Sequence, residues 1–557
     1  MEIILLSKTK DHYDVIIVGG GVNGVGIARD CALRGIDCLL VEKNDFSAGT
    51  SCASSGMIHG GPRYLLGDVD VTRLSCLDSG FIQKIAPHLL FRIPFLYTVY
   101  AHGGKSAQAR LKLEAVEAFF TAYDKYVPLK NGKPHTRLKS KDVCELEPNI
   151  PSHELVGGIT FDEWGIDVPR LCIANVVDAV EHGAQALNHV EVTQIHKDEN
   201  KVVQSVSLKD VFTAESKTIT CKLVINATGP WSPKFGELLG TQIQLRGGKG
   251  IHLVFDRRLF NMSLVSQTID GREIFIMPYE NTTIIGTTDD DYFGDLDNQR
   301  CTEEEIAYLI DGIAQVFPDI RNARMIYSYS GVRPTIYERD CTENDLSREH
   351  EVLDHEPRDS IKGAISLIGG KLASYRIMAK EVTDLIAKKL KVDRVSTTHQ
   401  QHLPGGDATP NISELATEYQ IEPFTVARLV YRHGSRAVPI LDEIRANPEL
   451  GELVCTCEPV TAAEVHYVIK HEFAHTLSDV RRRTRITQGP CQGTECLLAT
   501  SSILSQLKNS GLEESKDEIG SFMNEWWWNR ACVLNDSQLK QEELYQALHF
   551  SNNCLDV

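Results

Sequence analysis

Four cysteines toward the C-terminal end, Cys455, Cys457, Cys491 and Cys496, form two close pairs, C-x-C and C-x4-C, with 33 residues between them. Thiolates are soft ligands, so two such pairs brought together can hold iron–sulfur or zinc. Near the other end, Gly19-Gly-Gly21-Val-Asn-Gly24 has the G-x-G-x-x-G order. Gly19 permits a tight turn, Gly21 lets the backbone approach a pyrophosphate, and Gly24 permits close packing of helix on strand. A nucleotide cofactor and a metal centre on one chain point to electron transfer.

These residues need particular elements around them. Tyr13 to Val18 is a β-rich apolar run, Val25 to Arg34 is amphipathic, and Asp37 to Val41 is a second strand ending in Glu42. Strand, glycine loop, helix, strand and terminal acid together specify a dinucleotide site. The helix N-terminus faces the phosphates and Glu42 accepts from ribose hydroxyls. Leu223 to Gly229 is a strand running into Ala227-Thr-Gly229, a return to the nucleotide common in flavin enzymes. The small-residue loop Ser47–Gly61 suits close approach to a bulky planar cofactor. FAD is therefore expected rather than NAD. Gln244–Phe255, Glu273–Met277 and Thr282–Gly286 have strand character, and Thr302–Val316 is helical. A helix is expected to open at Lys371, directly after Gly369 and Gly370, with its N-terminus suited to an anion or the flavin.

Thr50-Ser-Cys-Ala-Ser-Ser55, Ile58-His-Gly-Gly-Pro-Arg-Tyr-Leu65, Gly286-Thr-Thr-Asp289, Ser330-Gly-Val-Arg-Pro334 and Gly369-Gly-Lys-Leu-Ala-Ser-Tyr-Arg376 occur in this order. They resemble motifs of the FAD-dependent glycerol-3-phosphate dehydrogenases. The tail, with VCTCEPVTAAEV and DVRRRTRITQGPCQGTEC, resembles the large catalytic subunit of the anaerobic three-subunit enzyme. The serine-rich loop and Lys249-Gly-Ile-His252 are closer to the aerobic, cluster-free branch.

The resemblance implies a Rossmann-like α/β FAD-binding domain, an antiparallel β-sheet substrate domain, and a mostly helical C-terminal region with a small cysteine-ligated module. The expected boundaries are 1–390 for the oxidoreductase region, with the substrate domain around 244–325. A linker and helical segment follow at 391–450, the [2Fe–2S] module at 451–510, and a helical tail at 511–557. FAD would be held by Gly19, Gly21, Gly24, Glu42, Thr50, Ser51, Ser55, His59, Ala227, Gly229, Gly369 and Gly370. Arg63, Tyr64, Arg333, Lys371 and Arg376 would bind substrate, arginine because its planar fork matches phosphate. His252 is either a satisfied strand residue or the proton acceptor, and His59 either flanks the flavin or orders its loop. The four thiolates would hold a [2Fe–2S] cluster, one pair per iron; structural zinc is the alternative. The implied reaction takes a hydride from C2 of sn-glycerol 3-phosphate to FAD, with electrons passed to partner subunits and quinone. Another polyol phosphate, or a flavin redox sensor without turnover, is the competing function.

Composition bounds the rest. A net charge of −18 excludes a broad nucleic-acid surface. It also requires a local cationic pocket for a phosphate-bearing substrate. No run reaches membrane-span length and no secretory signal stands out, so reducing cytoplasm is expected, with peripheral attachment to the inner face of the membrane through partners. Cys31, Cys38, Cys172 and Cys221 lie in apolar segments and read as buried hydrophobes. Arg481-Arg-Arg483 with Arg485 reads as a solvated helix face or as cations near the cluster. In Trp526-Trp-Trp528 the three rings cannot share one helix face, so at least one is exposed or covers another domain.

Overall fold

The computed structural model describes residues 5–62, 65, 69–339 and 349–552. Two sheets and a helical C-terminal region make up the chain.

The first sheet is the expected Rossmann-like one. Its parallel centre runs Ala364–Gly369, Ser216–Asn226, His12–Val18, Cys38–Val41 and Gln185–Leu187, side by side in that order. The fully buried strands are near-continuous Val, Ile and Leu, as a sheet covered on both faces requires. Helices Val22–Leu33, Val168–Glu181 and Tyr375–Leu390 supply Val25, Ile27, Leu171, Val382 and Ile386 to the core on one face. Strand His350–Asp354 closes one edge antiparallel, so this sheet draws on segments far apart in sequence. Cys31, Cys38, Cys172 and Cys221 are all buried thiols.

The second sheet has nine strands and draws on two stretches of chain. Leu245–Phe255, Ser263–Gln267, Glu273–Tyr279, Thr282–Gly286 and the short Asp290–Asp291 come from the expected region, and Met325–Ile336 follows it. Leu90–Tyr100, Thr136–Lys139 and Leu155–Ile166 complete it, which the sequence pattern did not reveal. Its pairings are antiparallel except for Ser263–Gln267 against Leu90–Tyr100. Alternation separates its faces. Ile251, Leu253 and Ile285 pack under helix Glu303–Ala314, while His252 points the other way. That helix begins at a capping box, Thr302 with Glu305, as its sequence dictates.

The C-terminal region is helical apart from the short hairpin Leu453–Cys455 and Val460–Thr461. Leu415, Val426, Ile440, Val460, Val468, Val480 and Cys496 share one core. The segments expected as a linker with helices and as a separate module thus pack together. The basic run is a correction to the solvated reading. Helix Leu477–Thr484 buries it, with Arg481, Arg483 and Arg485 all below a tenth exposed. Arg483 makes a bidentate pair with Asp45, which follows the second Rossmann strand, and Arg482 Nε reaches the same carboxylate at 2.6 Å. Arg485 bonds Glu458 at 3.3 Å and the Tyr279 hydroxyl at 3.0 Å, and Arg481 lies over the Tyr327 ring. The run therefore clamps the C-terminal region to both sheets. Of the three tryptophans, Trp526 is buried, its indole N–H donating to the Gln492 carbonyl, while Trp528 is 48% exposed under Arg300.

Candidate active site

A cavity of ≈ 1390 Å³ lies between the sheets, lined by residues from both. One end of it is built from the glycine loop. Gly24 packs so tightly that a Cβ would sit 1.8 Å from the Gly19 carbonyl oxygen, so any side chain there would drive helix and strand apart. At the helix N-terminus the Val22 N–H donates to Ser51 Oγ at 2.9 Å. Glu42 lines the cavity with its carboxylate accepting from the Gly20 and Asn44 N–H groups, and burial pushes its pKa up. Ala227, Gly229, Thr50, Ser55 and His59 line the same space, with Thr50 Oγ1 donating to the Val332 carbonyl.

Gly369 and Gly370 also reach the cavity. Gly370 has φ +94°, and a Cβ there would strike Met378 Sδ. These two left-handed residues displace the helix start. Lys371 stays extended, Leu372–Ser374 forms a 3-10 turn, and the α-helix runs only from Tyr375. The expected helix N-terminus at Lys371 is thus four residues further on, while Lys371 itself lines the cavity.

The second sheet supplies the chemistry at the other end. Arg333 Nη1 bonds Asp289 Oδ1 at 2.5 Å, and Nη2 bonds Thr287 Oγ1 at 3.3 Å. Gly250 lies beneath, where a Cβ would meet both Thr287 Oγ1 and Arg333 Nη2. His252 is buried, stacked on Tyr329 with ring centres 4.8 Å apart, and its Nε2 is 2.8 Å from Ser55 Oγ. Burial and the neighbouring Arg333 lower its pKa to about 3. The imidazole is neutral near pH 7. The unfolded chain binds a proton that the native site refuses, so this group's contribution to stability is complete above about pH 6.5 and is lost as pH falls toward 3. Replacing His252 by Gln is expected to flatten the fall of the urea midpoint between those limits. An unchanged slope, measured against the parent protein, would count against this environment.

The structure thus gathers Arg333, His252, Lys371 and His59 around one space with the glycine loop. It does not bring Arg376 there. That side chain is buried away from the cavity, ion-paired with Asp78 at 2.5 Å and lying over the Phe81 ring. Facing away after a turn, it serves the helix packing rather than the pocket. Arg63 and Tyr64 lie outside the described residues. Sequence reasoning missed Asp289 and Tyr329 as site members. The first stands in the Gly286–Asp289 motif, and the second is legible only once strand pairing places it opposite His252.

The four C-terminal cysteines are free thiols, Cys455 and Cys496 buried, Cys457 and Cys491 half-buried. Among the described residues, the metal-type donors that converge within 4.8 Å are instead Asp45, His189 and Asp479. Those carboxylates already answer Arg482 and Arg483.

Comparison with known proteins follows the same division. Residues 14–356 match the family described as FAD dependent oxidoreductase, and residues 396–510 match the C-terminal domain of alpha-glycerophosphate oxidase. The chain is 32% identical over 551 residues to one subunit of the anaerobic glycerol-3-phosphate dehydrogenase of Escherichia coli (strain K12), covering 97% of this chain and 98% of that one. It is 34% identical over 499 residues to a glycerol-3-phosphate dehydrogenase of Synechocystis sp., covering 85% and 89%. The structure of glycerol-3-phosphate dehydrogenase from Bacillus halodurans complexed with FAD superposes with a TM-score of 0.74 at 25% identity, covering 95% of this chain and 98% of that one.

Proposed function

Because the chain belongs to the FAD-dependent glycerol-3-phosphate dehydrogenases, we propose that it oxidises sn-glycerol 3-phosphate to dihydroxyacetone phosphate and delivers the electrons through a [2Fe–2S] centre to a partner protein and quinone. The observation that carries this is the shared cavity. The nucleotide-binding glycines and the Arg333–His252 corner open into one space. The residues fit FAD: a Cβ-free glycine loop at a helix N-terminus, an acid after the second strand, and room for an extended cofactor. FAD supplies the hydride acceptor when bound.

This chain's own residues then bind and orient the substrate. Arg333 presents its fork from a strand, held in direction by Asp289 and Thr287, so little side-chain freedom is lost on taking a phosphate. Lys371, with Arg63 and Tyr64, completes the anion site in this reading. His252, neutral and fixed by Ser55 and Tyr329, accepts the hydroxyl hydrogen bond and its proton as hydride leaves. The low basicity of this ring makes it a transient holder of that proton, not a resting store.

The paired thiols fit the cluster better than zinc. A tetrahedral zinc site places all four sulfurs about 3.8 Å from one another, given its ≈ 2.3 Å Zn–S bonds. Among the described residues no three of these sulfurs lie within 4.8 Å of one another, as four-thiolate zinc would require, whereas a [2Fe–2S] centre needs only one pair at each iron.

An anaerobic visible spectrum before and after adding glycerol 3-phosphate tests the proposal. The flavin band is expected to bleach and the iron–sulfur absorbance to fall in part. A flavin left oxidised would sink the dehydrogenase reading. Replacing Cys491 by Ser is expected to remove iron and sulfide while the flavin still bleaches. Loss of zinc instead would rule out the relay.

A further inference from the structure

Several cations that line the cavity are already answered by protein groups. Lys43 and Lys234 pair with Asp297, Arg333 pairs with Asp289, and Lys112 lies over the Tyr97 ring. Arg272 is different. It lines the same space at the end of the turn between strands Ser263–Gln267 and Glu273–Tyr279, and its side chain is only 8% exposed. Its Nε and Nη1 are buried with no hydrogen-bond acceptor. The nearest carboxylates stop short of bonding distance, Asp270 Oδ2 at 3.9 Å from Nε and Asp290 Oδ1 at 3.8 Å from Nη1. Asp270 is engaged in its own turn, accepting from the Thr268 hydroxyl, from the Tyr308 hydroxyl at 2.8 Å and from the Arg272 backbone N–H at 3.3 Å. Asp290 is mostly exposed to water. Desolvating a guanidinium without giving it acceptors is costly, and an anion in the cavity would meet that need.

We infer that Arg272 is a further substrate-binding residue, joining Arg333 in holding a phosphate dianion. The inference rests on the reading of the cavity as a glycerol 3-phosphate site and adds one residue to it. The two guanidiniums flank the same short segment. Arg333 reaches Thr287 and Asp289, and Arg272 faces Asp290, the next residue along. The backbone under Arg272 is fixed, the Thr268 N–H donating to its carbonyl at 2.9 Å, so the cation is placed before any ligand arrives. Two guanidiniums suit a group with two negative charges. A neutral polyol gives them nothing to bind, and a single carboxylate leaves one of them uncompensated. The pair therefore selects phosphate monoesters, on a molecule whose net charge of −18 otherwise repels them.

The full-length, FAD-loaded protein would be titrated calorimetrically with inorganic phosphate, a probe that needs no turnover. Arg272→Gln is expected to raise the phosphate dissociation constant on the order of thirtyfold, the loss of charge-assisted hydrogen bonds to one dianion. KM for glycerol 3-phosphate should rise by a similar factor while kcat holds within about threefold, because the contact is made before and during the reaction alike. Glycerol, used as a neutral competitor, should inhibit parent and variant at the same concentration, a selectivity that a merely structural arginine would not produce. Arg272→Lys keeps the charge without the fork and should weaken phosphate to an intermediate degree. It carries the test if the glutamine variant does not fold. Parent-like phosphate binding in a folded, FAD-loaded Arg272→Gln, or in Arg272→Lys where that variant stands in, would overturn the inference. Equal weakening of phosphate and glycerol would overturn it as well. A parent whose phosphate binding depends on Arg272 but whose flavin is not bleached by glycerol 3-phosphate would instead strike the dehydrogenase reading and leave Arg272 as a phosphate ligand.

Discussion

Arg333→Met is expected to lower kcat/KM for glycerol 3-phosphate at least a hundredfold while FAD stays bound. The guanidinium is held toward the cavity by Asp289 and Thr287, and removing it takes away the fixed fork for the substrate's phosphate and breaks the ion pair with Asp289. Losing one partner of a charged hydrogen-bonded pair costs about 2–5 kcal/mol, and about 3 kcal/mol corresponds to roughly a hundredfold. Arg333→Lys keeps the charge but not the planar fork, so it should recover only part of the loss. Flavin bleaching followed against substrate concentration separates weaker binding from a slower chemical step. A variant with the parent's concentration dependence would remove Arg333 from the anion site.

The second large effect is on stability. Arg483→Met is expected to destabilise the protein by about 3 kcal/mol, the lower end of the range for breaking a buried ion pair. Arg483 is 1% exposed and Asp45 is wholly buried, and their bidentate contact joins regions more than 400 residues apart in sequence. Arg482 still reaches Asp45, which keeps the cost from the upper end. Thermal unfolding and limited proteolysis would report it as a lower midpoint and earlier cleavage between the two regions. Combining Arg483→Met with Asp45→Asn should cost less than the sum, because the uncompensated charge goes with its partner. Strictly additive changes would mean that the pair does not couple the two regions as assigned.

That clamp also marks where sequence reasoning stops. The glycine loop was legible because its requirements are local: strand, turn, helix and acid all lie within about 30 residues, and each position has a steric or hydrogen-bonding reason. The strands of 244–286 were legible by alternation. The arginine run was not. Four cations in five positions read as solvated on any local rule, and only Asp45, Glu458 and Tyr279, brought by tertiary folding, make their burial tolerable. The same holds for Arg376, which shares its motif with Lys371 but lies beyond the turn that redirects the helix, where Asp78 answers it. The third of the second sheet from Leu90 to Ile166 failed for another reason: nothing in its apolar pattern names the distant partner strand with which it aligns.

The placement of Ala364–Gly369 beside Ser216–Asn226 has a consequence for how the molecule is made. The sheet that carries the glycine loop lacks a central neighbour until some 350 residues after Val18 have been synthesised. At ribosomal rates of 5–20 residues per second that interval is roughly 20–70 s. During it the emerging chain holds the phosphate loop and an apolar strand edge, but not the Gly369–Gly370 turn that closes the cavity. Cofactor capture therefore waits until the chain has passed Gly370, and a ribosome stalled before Gly369 should display a chain that chaperones retain and flavin does not colour.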